Sequence, residues 1–160
     1  MRYIGAFAVI LAALLAWRAY SGFLCEELEL SRAFLGALRD YRDKVSCYLL
    51  TPKEWARGYA ERSVIISDFI SCVAAGESMK AAYEAVRDSY CLPDEIDEAL
   101  TDCFSALGEG YLDVELAILD SAIARIEDAA GRLSAGFKSK EQGVGALLGA
   151  CAVGTVILII

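Results

Sequence analysis

Six cysteines and one run of carboxylates are the residues best equipped for chemistry. The cysteines are Cys25, Cys47, Cys72, Cys91, Cys103 and Cys151. No two have Cys-x-x-Cys spacing, and the chain has no histidine. A zinc or iron–sulfur site therefore has little support. Cys151 lies inside an apolar run and the others fall in helical patterns, so a disulfide framework is not expected; the thiols read as small, reduced and buried. The carboxylates are Asp94, Glu95, Asp97, Glu98 and Asp102. Clustered carboxylates can do acid–base work or hold calcium. Here they stand at a helix start without EF-hand spacing, which favours a solvated face that compensates the helix dipole. Without histidine the commonest general base is missing, and no Gly-rich phosphate loop is present. Ser139-Lys140 has no pocket to serve. The sequence thus points to no catalytic, cofactor-binding or metal-binding residue and to no small-molecule substrate.

The elements that carry these residues are helices. Pro is scarce, with 2 in 160 residues, good helix formers abound, and neither strand alternation nor a hairpin turn is visible, so the fold class is all-α. A long amphipathic helix is predicted from about Phe23 to Leu50, with Phe34, Leu38, Tyr41, Val45 and Tyr48 on one face. Thr51, Pro52 and Glu54 form a helix start: Thr caps, Pro suits the first turn, and Glu reaches back. A short helix follows to about Ala60. Ser63 to Ala75 carries Ile65, Ile66, Phe69, Ile70 and Val73 and ends at Gly76. Ser78 caps a helix over about 79–90, and Pro93 opens another that runs to about Leu107. Gly108 and Gly110 break the chain.

The last helix is the most regular. Leu112, Leu116, Leu119, Ile123, Ile126, Ala130, Leu133 and Phe137 alternate four- and three-residue steps, a heptad seam. It either fills the core of the bundle or pairs with another protein. The predicted architecture is a helical bundle in which two long antiparallel helices extend into membrane helices at both ends of the chain, with the shorter helices as a cap.

Hydrophobic residues make up 57% of the chain and mean hydropathy is +0.43. The surplus sits at the ends. The uncharged run from Tyr3 to Trp17, extended past a snorkelling Arg18, gives an N-terminal transmembrane helix over 1–22. A cleaved signal peptide is the rival reading, with a poor cleavage site because Trp17 and Arg18 follow Ala16. The run 143–160 is uncharged; at about 1.5 Å per residue it spans roughly 27 Å, close to the hydrocarbon thickness of about 30 Å. Gly145, Gly149 and Gly154 place small residues at helix-packing spacing, either as a contact face or as a chance of Gly- and Ala-rich composition. Arg18, Arg32, Arg125, Arg132, Lys138 and Lys140 flank the inner sides of both runs, so the domain over 23–140 is expected in the cytoplasm. Net charge is −8. No basic stripe for a nucleic acid is present, while docking onto a basic protein surface is compatible with the charge.

Thr51-Pro52 after the first long helix, Leu107-Gly108 before the last, and the small-residue stretch from Gly145 closing in aliphatics at Ile160 follow in an order that resembles the stage III sporulation protein AB family of endospore-forming bacteria. The resemblance covers nearly the whole chain. It implies a non-catalytic platform or scaffold subunit of a secretion-like sporulation channel complex between mother cell and forespore, sited in the mother-cell membrane. It also implies a soluble domain similar to the helical domains of the type II secretion F protein. Expected partners are other membrane subunits of the complex, a cytoplasmic ATPase and the lipid bilayer. Two departures stand out: Glu115, where family members often carry Gln, and the frequency of cysteine. The alternative function is a membrane-bound enzyme or regulatory sensor that uses the acidic cluster or the cysteines.

Overall fold

A computed structural model describes the backbone of residues 2–59, 64–108 and 111–159, and the side chains of 11–12, 14–15, 17–22, 25–59, 64–108 and 111–136. The described backbone is helical: α1 (Arg2–Tyr48), α2 (Pro52–Tyr59), α3 (Ser67–Ala75), α4 (Met79–Val86), a single 3₁₀ turn at Arg87–Ser89, α5 (Asp94–Ala106) and α6 (Leu112–Ile159). The chain divides into two compact units, Met1–Glu26 with Arg132–Ile160, and Glu27–Gly131.

Within Glu27–Gly131 the core is built where the apolar periodicity of each helix converges. Phe34 of α1 lies 5.6 Å from Phe69, 5.7 Å from Tyr83 and 5.6 Å from Tyr90, ring centre to ring centre. Phe104 of α5 stacks on Phe69 at 5.2 Å and tilts against Tyr83 at 5.3 Å. Ile66, Ile70, Val73, Ile96, Leu100, Leu119 and Ile126 are fully buried with them. Offset and edge-on rings at these distances add about 1 kcal/mol per pair beyond area burial. Ser31 is wholly buried, yet its hydroxyl donates to the Glu27 carbonyl at 2.6 Å, so no polar atom there is stranded.

Ion pairs between helices help tie this unit together. Arg42 of α1 grips Asp120 of α6 in two bonds, Nε to Oδ1 at 2.9 Å and Nη2 to Oδ2 at 3.2 Å. Arg39 pairs with Glu127. Rising numbers on α1 meet falling numbers on α6, so these stretches run antiparallel. Arg125 donates to Asp102 of α5 at 3.0 Å. These pairs are well exposed and screened by solvent, so they fix register more than stability.

The helix ends follow local chemistry, with some corrections to the sequence reading. Tyr48 leaves the predicted buried face and is 68% exposed, because α1 stops there and Leu49 turns left-handed at φ 53°. The expected start at Ser63 is shifted: α3 begins at Ser67, and Ile65 is exposed in the turn before it. Gly76 takes φ 112°, where its N–H bonds Val73 and the Glu77 N–H reaches Cys72, closing the end of α3. The Ser78 hydroxyl accepts from the Ala81 N–H at 3.1 Å, but α4 ends at Val86, short of Tyr90, as the backbone tightens into the 3₁₀ turn.

The seam of α6 is only partly inward. Leu119 and Ile126 are fully buried and Ala130 nearly so; Leu116, Ile123 and Leu133 are half-buried; Leu112 is exposed. Ala122 and Ala129, which are not on the predicted seam, are buried beside it. The 3.6-residue turn carries the inward stripe across neighbouring positions, so a strict heptad misses the small ones. The Phe137 side chain lies outside the described residues.

Candidate interaction surfaces

The start of α2 carries Thr51, Pro52 and Glu54 in reciprocal bonds. Glu54 N–H donates to the Thr51 hydroxyl oxygen at 3.3 Å, while the Thr51 N–H and hydroxyl donate to Glu54 Oε2 at 3.0 and 2.8 Å. The Thr51 N–H, then its hydroxyl, holds the Glu54 carboxyl below the usual carboxylate range. This arrangement supports the helix and presents no reactive group. Thr51 and Pro52 do line one side of a 340 Å³ cleft, together with Tyr41, Leu49, Leu107 and Glu115. Glu115 is occupied in closing the α5–α6 connection, where its Oε1 accepts from the Gly108 N–H at 3.0 Å.

The acidic run divides into residues with different duties. Asp97 is not a solvated surface charge: its side chain is only 16% exposed, and it accepts from the Tyr83 hydroxyl at 2.6 Å and from Arg87 Nε at 2.9 Å. Burial pushes its carboxyl up, but the Arg87 and Tyr83 hydrogen bonds outweigh that, and it titrates below the usual carboxylate range. Desolvation, then the Asp97 bond, pushes the Tyr83 phenol far above its ordinary value. Asp102 spans to Arg125 as described. Asp94 and Glu98 lie exposed on the outer side of α5. No sequence signal joins Asp97 to residues fourteen and ten positions earlier, so this pairing escapes a reading by helix position alone.

The thiols also depart from expectation. Cys103 is buried, and desolvation pushes its thiol up to about 12. Cys72 is half-buried, whereas Cys25, Cys47 and Cys91 are exposed. A helical pattern places a cysteine on a helix without fixing which side it faces. All five are free thiols, and Cys151 lies outside the described residues. Among the described residues no three His, Cys, Asp or Glu side chains converge on a metal position.

A second recess lies on the outside of the α5–α6 pair. It holds 380 Å³ over a floor of Ala99, Cys103, Ala106, Ala117, Ile118 and Ala122, with Val114 at one end and Ser121, Asp102 and Arg125 at its edge. The alanines do not fill the space between the two helices, and the recess is open to solvent.

The expected membrane-packing residues Gly145, Gly149 and Gly154 lie outside the described side chains, as do most of the side chains of the two terminal apolar runs. Among the described residues no helix is long and apolar enough to cross a membrane.

The fold defines a class: an all-α bundle whose first and last helices are several times longer than the four between them. No family model matches the chain, and no curated protein matches it. A structure of the stage III sporulation protein AB is similar in fold, with a TM-score of 0.59 at 16% sequence identity, over 71% of this chain and 97% of that one. At this identity the likeness establishes a shared fold.

Proposed function

We propose that this chain is a non-catalytic membrane platform subunit of a secretion-like sporulation channel complex between mother cell and forespore. The carrying observation is the fold match over nearly the full length of a stage III sporulation protein AB structure. In this reading the apolar runs at 1–22 and 143–160 are transmembrane helices continuous with α1 and α6, in the mother-cell membrane around the forespore. The basic residues flanking those runs favour a cytoplasmic position for the intervening bundle. Its work is to dock a cytoplasmic ATPase and neighbouring membrane subunits. Asp97, the most buried of the acidic run, is bound to Tyr83 and Arg87, which supports a structural duty over acid–base chemistry.

The test is co-purification of the tagged full-length chain from membranes of sporulating cells. Recovery with an ATPase and other membrane subunits is expected. Recovery alone from membranes of vegetative cells would overturn the proposal. Labelling near Asp94 in sealed cells checks orientation: reaction with an impermeant reagent from outside would reverse it.

A further inference from the structure

The charge of the bundle is not spread evenly. From Glu27 to Pro93 the sequence holds ten carboxylates and nine basic residues. From Asp94 to Gly131 it holds eleven carboxylates and a single basic residue, Arg125. That second stretch is α5, the connection after it and the first part of α6, and the recess lies between these two helices. Several of these carboxylates have partners: Asp97 with Arg87, Asp120 with Arg42, and Asp102 with Arg125. Asp94, Glu98 and Asp113 are exposed on the same two helices, Glu98 and Asp113 next in sequence to the recess residues Ala99 and Val114.

We propose that the α5–α6 groove is a docking site for a basic amphipathic helix of a partner protein. The groove supplies both parts of helix-in-groove recognition. Its lining is apolar and mainly alanine, with Ala106 and Ala117 exposed beside the buried Ala99, Cys103 and Ala122, so a helix carrying small aliphatic residues at i, i+3, i+4 and i+7 can approach closely. Val114, 51% exposed at one end, gives that helix an apolar contact it would bury. The excess of carboxylates on the two helices that border the groove selects Lys or Arg on the flanks of the incoming helix and speeds its encounter. A second copy of this chain would bring its own eleven carboxylates against these, and like-charge opposition disfavours it. The inference rests on the platform reading only for its setting: a subunit that docks partners needs such a face.

The experiment uses the full-length chain in zwitterionic lipid nanodiscs, with empty nanodiscs subtracted. The probe is a labelled helix-forming peptide of about five turns, alanine and leucine on one face and lysine on the other, set against its glutamate counterpart. The lysine peptide is expected to bind at least ~tenfold more tightly than the glutamate peptide, and more weakly as salt is raised. Ala117→Trp, which fills the groove, and the pair Glu98→Lys with Asp113→Lys are each expected to weaken binding by ~tenfold or more. Glu84→Lys on the exposed side of α4 should leave it unchanged. Circular dichroism checks folding, and Ser121→Trp replaces Ala117→Trp if that variant does not fold.

Four results overturn the proposal: no preference for lysine, binding that survives a filled groove, equal loss with Glu84→Lys, or a dimer of this chain that Ala117→Trp dissociates. None of them depends on recovering an ATPase, so a failure here is distinguishable from a failure of the platform reading.

Discussion

The two sides of α5 are built on different principles. Toward α3 and α4, Phe104 meets Phe69 and Tyr83 at ring distances just above 5 Å, and Ile96 and Leu100 are fully buried. Toward α6, Ala99, Cys103 and Ala122 are buried, and beside the exposed Ala106 and Ala117 a 380 Å³ recess stays open. Large rings in contact fill the first interface; small side chains leave part of the second open to solvent. The contrast separates two duties within thirteen residues of one helix. The ring-filled side fixes the fold, and the alanine side is available to something else. Substitutions on the two sides should therefore behave oppositely.

The largest expected effect is on the filled side. Phe104→Ala removes a ring from contact with both Phe69 and Tyr83 and leaves a cavity that rigid neighbours cannot close. A loss of about 3–5 kcal/mol is expected, read as a fall in the urea midpoint. A loss below about 1 kcal/mol would mean that this interface is as loose as the other, and the comparison would collapse.

Asp97 comes next. Asp97→Asn keeps the shape but removes the charge that Arg87 and Tyr83 address, with an expected cost of about 2 kcal/mol at neutral pH. The same carboxyl sets a pH dependence. Its folded pKa lies below the unfolded value, so its contribution is complete above the unfolded carboxylate pKa of about 3.9 and fades as pH falls toward the folded value. The wild-type chain should lose stability on acidification through that window more steeply than Asp97→Asn. Parallel acid profiles for the two proteins would show that Asp97 is not the group responsible.

How much of this was open to a reader of the sequence depends on the range of the interactions. Helix content, Gly76 as the terminator of α3 and Ser78 as a cap are set within a few residues, and local pattern was enough to find them. Periodicity misplaces Tyr48 because it extends a face beyond the residue where the backbone turns, and Leu49 gives no warning of its left-handed φ. Helix position alone misreads Asp97 because its partners lie on other elements, brought near only by packing. The alanine groove had no apolar signal to notice, since small residues score as good helix formers and not as a surface. The charge imbalance between the two stretches could have been counted from the sequence; it gained meaning only when both acidic helices were found to border one recess.

Tyr83→Phe isolates a smaller part of the filled side. It keeps the ring against Phe34 and Phe104 and removes only the hydroxyl that donates to Asp97 at 2.6 Å. Asp97 keeps Arg87, so no charge is left stranded, and a loss of about 1 kcal/mol in urea unfolding is expected. A loss near that of Phe104→Ala would place the importance of this cluster in its hydrogen bonds and not in its rings.

The smallest effect belongs to the open side, and it is the most demanding test of the contrast. Ala117→Leu adds three carbons at an exposed position on the groove floor. In a packed interior such an insertion costs about 1–3 kcal/mol, because neighbours must leave their rotamers. Here the space is already present and one side is solvent, so stability should change by less than about 0.5 kcal/mol. The same variant should weaken binding of the lysine peptide, since it occupies the volume the incoming helix needs. A large loss of stability would show that the alanines are packed to their limit and that the recess is no docking surface. Unchanged stability with weakened binding would mark α5 as a helix with one side committed to the fold and the other held open for a partner.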